Sequence, residues 1–401
     1  MEIKKINDVV KYNLCIGCGM CTNFSKDAKI GYSEDGFLVV KNYNHTSKEI
    51  TEEELTRKLC PGINTYSVEC EKDSVWGNIK TLNLGYSTDE KIRYIGSSGG
   101  TITQTLVYLL ENKIVDYVIH IEQDEKDPLG NKIVITDKID NVLANTGSKY
   151  CPASPIENIF NNIDFSKKYA FVGRPCDIVS VENYARINKK VNDAILYKIT
   201  FFCAGTPSIV GTEKVLEKFG LKEDDVKSFR YRGNGWPGYT TAVDKNNKAH
   251  QMPYNDSWGK ILNRYLNNRC KVCPDGVGMS SDIVYGDGWD CDENGYPIFS
   301  EGEGKSIIVT RTQKGKDLLE KMEKDNKLVV EDFQYKNLKF VQPYQYNRRT
   351  TMIYRTGAMK LFGRNLPIYE NAIKDAAKEQ GSKAKIKTFL GTVKRIMKKR
   401  L

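Results

Sequence analysis

Three cysteines, Cys15, Cys18 and Cys21, stand three residues apart in CIGCGMC, and a fourth, Cys60, is followed by Pro61 and Gly62. Thiolates at that spacing can grip one face of an iron-sulfur cubane, because the tight loop joining them points its backbone N–H groups at the sulfides. Gly17 and Gly19 permit the turns that such wrapping requires. In bacterial ferredoxins a distant Cys-Pro supplies a cluster's fourth ligand. Cys60 is therefore expected to complete one 4Fe-4S cluster, with Cys70, which lacks the proline, as the rival ligand. A zinc site or inert buried thiols are the alternative chemistry.

A second set is more scattered. Cys270 and Cys273 in RCKVCPDG form a lone CxxC, which could equally be a zinc half-site, a redox pair or half of a cluster site. Cys176 and Cys203 each fall between a predicted strand and a predicted helix. In an open α/β sheet such loops share the carboxyl edge where ligands bind. These four thiolates would suffice for a second 4Fe-4S cluster; two buried core thiols beside an unrelated CxxC are the bland reading. Cys151 and Cys291 are spare candidates.

The run GSSGGT at 96 to 101 opens a helix with Ser97, Ser98, Gly99, Gly100 and Thr101. Small residues, hydroxyl donors and a helix N-terminus are the chemistry of a phosphate loop, although the P-loop lysine is missing and a capped helix start explains them equally well. GSKY at 147 to 150 adds Lys149 as a cation for a second phosphate contact.

The elements that position these residues follow from periodicity. Ile102, Leu106, Leu109 and Leu110 recur at helical spacing after the 96–101 loop, and IVDYVIHI reads as a strand. Strand, loop and helix repeat as YAFVG, RPC, DIVSVENYARI and as ILYKITFF, CAGTP, SIVGTEKVLEKF, which predicts an α/β sheet. SFRYR, YTTAV and AHQM around two turns predict a meander. A helix carrying Trp258, Ile261, Leu262, Tyr265 and Leu266 is expected before RCKVCPDG, and strands DIVYGDGWD and SIIVTRT after it.

At 401 residues the chain should hold two or three domains. The fold class expected is α+β and α/β: a small ferredoxin-like 4Fe-4S domain over 1–78, followed by a mixed α/β flavin and iron-sulfur domain. Its N-terminal part spans 79–200, its C-terminal part with the second cysteine set 201–345, and a basic helical extension 346–401. No apolar run reaches bilayer-spanning length and no signal peptide opens the chain, so a cytoplasmic protein is expected, in which eleven cysteines serve as ligands or redox thiols. Three separated histidines offer little to a zinc site or a hydrolytic triad. A net charge of +10 without a basic stripe interleaved with aromatics argues against nucleic acid. The tail from Lys383 to Leu401 sets Ile386, Phe389, Leu390, Val393, Ile396 and Met397 along one helical stripe among lysines, which predicts peripheral contact with an anionic inner membrane face or an acidic partner.

Taken in order, CIGCGMC with LCPG, SSGGTITQTLVYLLENKIVDYVI, GSKY, FVGRPCDI, FFCAGTPS, NRCKVCPDG, DIVYGDGWD and VTRTQKG resemble the beta-subunit family of coenzyme F-420 hydrogenase/dehydrogenase over roughly residues 10 to 320. The resemblance implies FAD, held by Ser97, Ser98, Gly99, Gly100, Thr101 and Lys149, beside 4Fe-4S clusters. It also implies electron transfer to a reducible substrate, and bacterial relatives point toward cell-surface polysaccharide synthesis. The tandem second CxxCxxC of some members is absent, so one cluster is expected in the first domain. The expected enzyme is a ferredoxin-linked, FAD-dependent oxidoreductase: reduced ferredoxin feeds the first cluster, the second relays to FAD, and the flavin reduces an organic substrate. The alternatives are a non-catalytic electron-transfer subunit of a larger complex, a deazaflavin (coenzyme F-420) oxidoreductase, or a zinc-stabilised binding protein.

Overall fold

The computed structural model describes residues 3–67, 73–293 and 297–398. Cys70 lies outside the described residues. Thirteen strands are present among them: β1 (Lys29–Tyr32), β2 (Leu38–Lys41), β3 (Thr81–Ser87), β4 (Tyr117–Gln123), β5 (Asn131–Thr136), β6 (Tyr169–Val172), β7 (Ile195–Phe201), β8 (Val226–Arg230), β9 (Tyr239–Asp244), β10 (Ala249–Pro253), β11 (Ile283–Asp287), β12 (Ser306–Thr310) and β13 (Leu328–Asp332). Eight form one mixed sheet in the order β13-β3-β12-β11-β7-β6-β4-β5. The central four, β11, β7, β6 and β4, are parallel. Antiparallel strands flank them on both sides.

The parallel strands read as apolar runs because both faces are covered. Ile119, Phe171, Ile195 and Ile199 are fully buried. The longer helices are α1 (Thr101–Glu111), α2 (Pro175–Ile187), α3 (Ile209–Phe219), α4 (Gln313–Lys324), α5 (Pro343–Leu361) and α6 (Ser382–Met397). Pro175 starts α2 at the first turn, where a missing N–H costs nothing, and Gly220 ends α3 in the left-handed conformation at φ 72°. The meander is observed as β8-β9-β10.

The predicted helix through Trp258 and Leu266 is not regular. A π turn covers Asn255–Gly259 and a 3-10 turn Leu262–Arg264. Asn255, Asp256, Ser257 and Gly259 are poor helix-interior residues, so tertiary packing decides: Trp258 packs against Tyr150, tilted at 42° with centroids 4.7 Å apart, and Leu262 is fully buried.

The N-terminal segment contains a hairpin, β1 with β2, and short helical turns, one of them a capping-box turn (Thr51 with Glu54) that winds through Leu55–Leu59 into Cys60. Its core is continuous with that of the sheet. Ile6, Met20, Phe24, Leu55 and Leu59 share one cluster with Ile119, Phe171, Ile178 and Val181. Phe24 meets Tyr184 of α2 edge to face at 5.3 Å, and Ser180 donates to the Leu59 carbonyl at 2.7 Å. The described part of residues 1–78, the expected ferredoxin-like domain, rests on α2 through apolar burial, worth ~25 cal/mol per Å2.

Candidate functional site: two groups of four thiols

The first group gathers as its spacing requires. Gly17 (φ 65°) and Gly19 (φ 87°) turn the chain in the left-handed region, and a Cβ would lie 2.4 Å from the Leu38 carbonyl oxygen at the first and 2.5 Å from Glu157 N at the second. Cys15, Cys18, Cys21 and Cys60 line one small cavity whose other walls include Ile6, Val9, Ile30, Val40 and Leu55. Burial in these apolar walls pushes the Cys60 thiol up to about 12, with Cys15 adding to it. Cys18 and Cys21 are raised well above the thiol range, first by burial and then by the neighbouring thiols of the same group.

The second group is assembled by topology. Cys176 follows β6 in the first turn of α2, and Cys203 follows β7, the adjacent strand. Cys270 lies in a one-turn helix, Asn268–Lys271, and the loop after it runs back so that the Cys203 N–H donates to the Gly276 carbonyl at 2.8 Å. Cys176 is raised by burial and also feels Cys273 and Cys203; Cys203 is pushed up to about 12 by burial, then by Cys270. Among the described residues no three His, Cys, Asp or Glu side chains converge as ligands of a single ion. A cubane makes a different demand, since each thiolate takes its own iron at a separate corner.

Two buried arginines stitch the groups together. Arg174, 8% exposed, pairs with Asp177 (Nε–Oδ2 2.8 Å, Nη2–Oδ1 2.9 Å) and donates to the carbonyls of Ile16 (3.5 Å) and Ala153 (3.2 Å) and to Thr206 Oγ1 (3.2 Å). Arg269, 2% exposed, donates to the carbonyls of Pro61 (2.7 Å) and Gly62 (3.1 Å), and its side chain reaches the Cys273 sulfur. Asn267 adds a bond to the Cys15 carbonyl at 3.1 Å. The sequence reading missed all three residues; arginine and asparagine beside cysteine motifs were the available signal.

Cys151 and Cys291 join neither group. The Cys151 sulfur accepts from Asn131 Nδ2 at 2.6 Å, and Cys291 lies beyond β11 near Trp289.

The 96–101 loop does open α1, with Gly100 at φ 71°. Its polar groups are already engaged: Ser98 Oγ donates to the Lys305 carbonyl (2.7 Å), and Ser306 Oγ accepts from the Gly99 N–H (3.0 Å) and Thr101 Oγ1 (2.9 Å). These bonds tie the loop to the start of β12, so Ser98, Gly99 and Thr101 do not present free donors to a phosphate. Ser97 differs. It accepts from the Ser148 N–H at 2.5 Å, which brings the loop against the GSKY segment. Lys149 donates to the Asn145 carbonyl at 2.6 Å, and burial together with Arg230 lowers its amine to about 8. Arg230, also missed by the sequence reading, donates to the Ile95 carbonyl and keeps a buried Nε without a partner. Two partly buried cations close enough to repel, beside Ser97, fit an anionic ligand.

The fold is mixed α/β, with Cys176 and Cys203 at the carboxyl edge of the parallel part of its sheet. Residues 83–161 match the model of the coenzyme F420 hydrogenase/dehydrogenase beta subunit N-terminus, and residues 166–336 that of its C terminus. Together they span more than half of the chain, which belongs to this family. It is 25% identical over 271 residues to the F420-dependent formate dehydrogenase subunit beta of Methanocaldococcus jannaschii, covering 64% of this chain and 69% of that one. It is 26% identical over 257 residues to the coenzyme F420 hydrogenase subunit beta of Methanococcus voltae, covering 62% and 82%. A chain of the F420-reducing [NiFe] hydrogenase complex from Methanosarcina barkeri superposes with a TM-score of 0.57 at 20% identity, over 75% of this chain and 99% of that one. That likeness bears on the fold.

Proposed function

We propose that this chain is an iron-sulfur electron-transfer subunit of a larger oxidoreductase, exchanging electrons with a deazaflavin of the F420 type. The observation that carries it is the pairing of two four-thiol groups across one pair of buried arginines. Cys15, Cys18, Cys21 and Cys60 would hold one 4Fe-4S cluster in a ferredoxin-like N-terminal module, and Cys176, Cys203, Cys270 and Cys273 a second. Such clusters supply one-electron carriage, and a flavin joins it to two-electron chemistry. Ser97, Lys149 and Arg230 supply the anion contact that the phosphate of FAD, or of a docking deazaflavin, would need. The chain's own part is to exclude water through the apolar walls of the first cavity, to fix the two thiol groups relative to one another, and to present cations to a phosphate.

The names of the relatives favour the deazaflavin alternative over the ferredoxin-fed, stand-alone enzyme, and none of them points to polysaccharide synthesis. The test is anaerobic mixing of the iron- and FAD-loaded chain with a reduced 8-hydroxy-5-deazaflavin. Bleaching of the visible cluster absorption within the mixing experiment is expected; no bleaching, with rapid reduction by ferredoxin instead, would return the ferredoxin-linked reading to first place.

The C-terminal helix supports a peripheral contact with an anionic membrane surface. In α6, Ile396 and Thr392 are buried, while Ile386, Leu390 and Met397 stand 59%, 59% and 73% exposed. The helix carries lysines and an arginine and no acidic residue, the pattern of an interfacial helix. Among the described residues no helix is long and apolar enough to cross a membrane. Co-sedimentation with phosphatidylglycerol vesicles at low salt should be lost in Ile386→Ser/Leu390→Ser/Met397→Ser; equal partitioning of the two proteins would remove the idea.

A further inference from the structure

The two thiol groups differ in the charge around them. The first cavity is walled largely by aliphatic side chains. The second group faces three buried guanidinium groups, and only one is compensated: Arg174, by Asp177. Among the described residues neither Arg269 nor Arg348 has a carboxylate within ion-pair distance. Arg348, 6% exposed, donates from Nη1 to the Cys203 carbonyl at 2.8 Å and from Nη2 to the Ala204 carbonyl at 2.6 Å. It also packs over the Tyr344 ring at 5.1 Å. Arg269 sits next to Cys270 in sequence and touches Cys273. Asp275, on the same loop, is occupied by the N–H groups of Val277, Gly278 and Met279.

A buried guanidinium without a counter-charge costs several kcal/mol, so two of them packed on the same four thiols call for an anionic group in that place. A 4Fe-4S core carrying four thiolates is such a group. Cationic charge and hydrogen bonding nearby also stabilise its more negative, reduced form.

Resting on the two-cluster reading above, we propose that Arg269 and Arg348 are positioning residues that set the electron affinity of the second thiol group. They raise the reduction potential of the cluster held there above that of the cluster held by Cys15, Cys18, Cys21 and Cys60. The two arginines then divide the work. Arg269 also donates to the carbonyls that follow Cys60 and acts on both sites; Arg348, bonded at Cys203 and Ala204, acts on the second. The lower-potential site thus lies in the N-terminal segment, and an added electron settles at the carboxyl edge of the sheet.

The experiment is a potentiometric titration followed by electron paramagnetic resonance on the anaerobically reconstituted full chain. The signals are assigned with Cys60→Ala, which retains only the second site. In the wild type the second site should have the higher midpoint. Arg348→Gln should lower that midpoint, shifting the ratio of reduced second to reduced first site by roughly tenfold at a fixed potential, with iron content and the first midpoint unchanged. Arg348→Lys should recover most of the shift, which a purely structural role would not require. If Arg348→Gln loses iron, Arg269→Gln decides in its place: a downward shift of the second midpoint supports the proposal, and none overturns it. A higher midpoint at the first site, or unmoved midpoints in a fully iron-loaded Arg348→Gln, also overturns it while leaving the two-cluster reading intact. A wild type that accepts only one cubane would sink both.

Discussion

The first thiol group is made by a motif and the second by a topology. Cys15, Cys18 and Cys21 lie in one seven-residue run, are turned by two glycines, and are enclosed by aliphatic side chains. Cys176, Cys203, Cys270 and Cys273 span almost a hundred residues: Cys176 and Cys203 meet because β6 and β7 are parallel neighbours whose following loops share one edge, and the segment before β11 brings Cys270 and Cys273 to that edge, where the Cys203 N–H donates to the Gly276 carbonyl. The motif site needs little charge, since its loop can offer N–H groups of its own. The topological site recruits arginines instead, and it depends on the whole sheet being in register.

That difference predicts where damage spreads. The largest effect is expected at Asp177, fully buried and paired with Arg174 at 2.8 Å. Asp177→Ala strands a guanidinium that holds both groups, and should cost about 3–5 kcal/mol in chemical denaturation of the chain. A loss below ~1 kcal/mol would mean that the stitch between the two groups is not structural.

Next comes Gly99. A Cβ there would lie 2.7 Å from the Gly85 carbonyl oxygen and 3.0 Å from Tyr86, so Gly99→Val should destabilise by about 1–3 kcal/mol through β3. Iron uptake at the first group should stay intact. If the variant kept its stability but lost flavin, the loop would be a ligand site after all, as its sequence first implied, rather than a tie between α1 and β12.

The smallest effect concerns pH. Lys149 is lowered to about 8 from an ordinary 10.5, so between those values the unfolded chain holds a proton that the folded chain has released. Stability should therefore rise with pH across that window and be lost as pH falls through about 8, by on the order of 1–2 kcal/mol. Lys149→Met should flatten this slope, and saturating pyrophosphate should reduce it by holding the amine charged. A slope unchanged in Lys149→Met would place the titration elsewhere.

Much of this was readable from sequence, for physical reasons that differ by region. The parallel strands announced themselves because both faces are buried, and the predicted placement of Cys176 and Cys203 in consecutive post-strand loops matches the observed sheet. The strands β3, β5 and β13 were not foreseen: TLNLGYS and NKIVIT mix polar and apolar residues at partly buried positions, and their pairing is antiparallel and long-range. Serine, threonine and glycine at the start of the helix after 96–101 suit a phosphate and a hydrogen-bonded tie equally, and the bonds to Ser306, two hundred residues away, are not legible in the sequence. Arg230 and Arg269 could not be singled out from spacing, because their roles arise from packing against distant backbone.

The account rests on there being two separate iron sites, and iron with acid-labile sulfide measured on Cys60→Ala, Cys273→Ala and the double variant tests this most directly. Each single variant should hold about half the wild-type content, by one cluster per group of four thiolates, and the double variant should hold almost none. Full iron in either single variant, or complete loss in both, would contradict the division of these eight cysteines into two clusters.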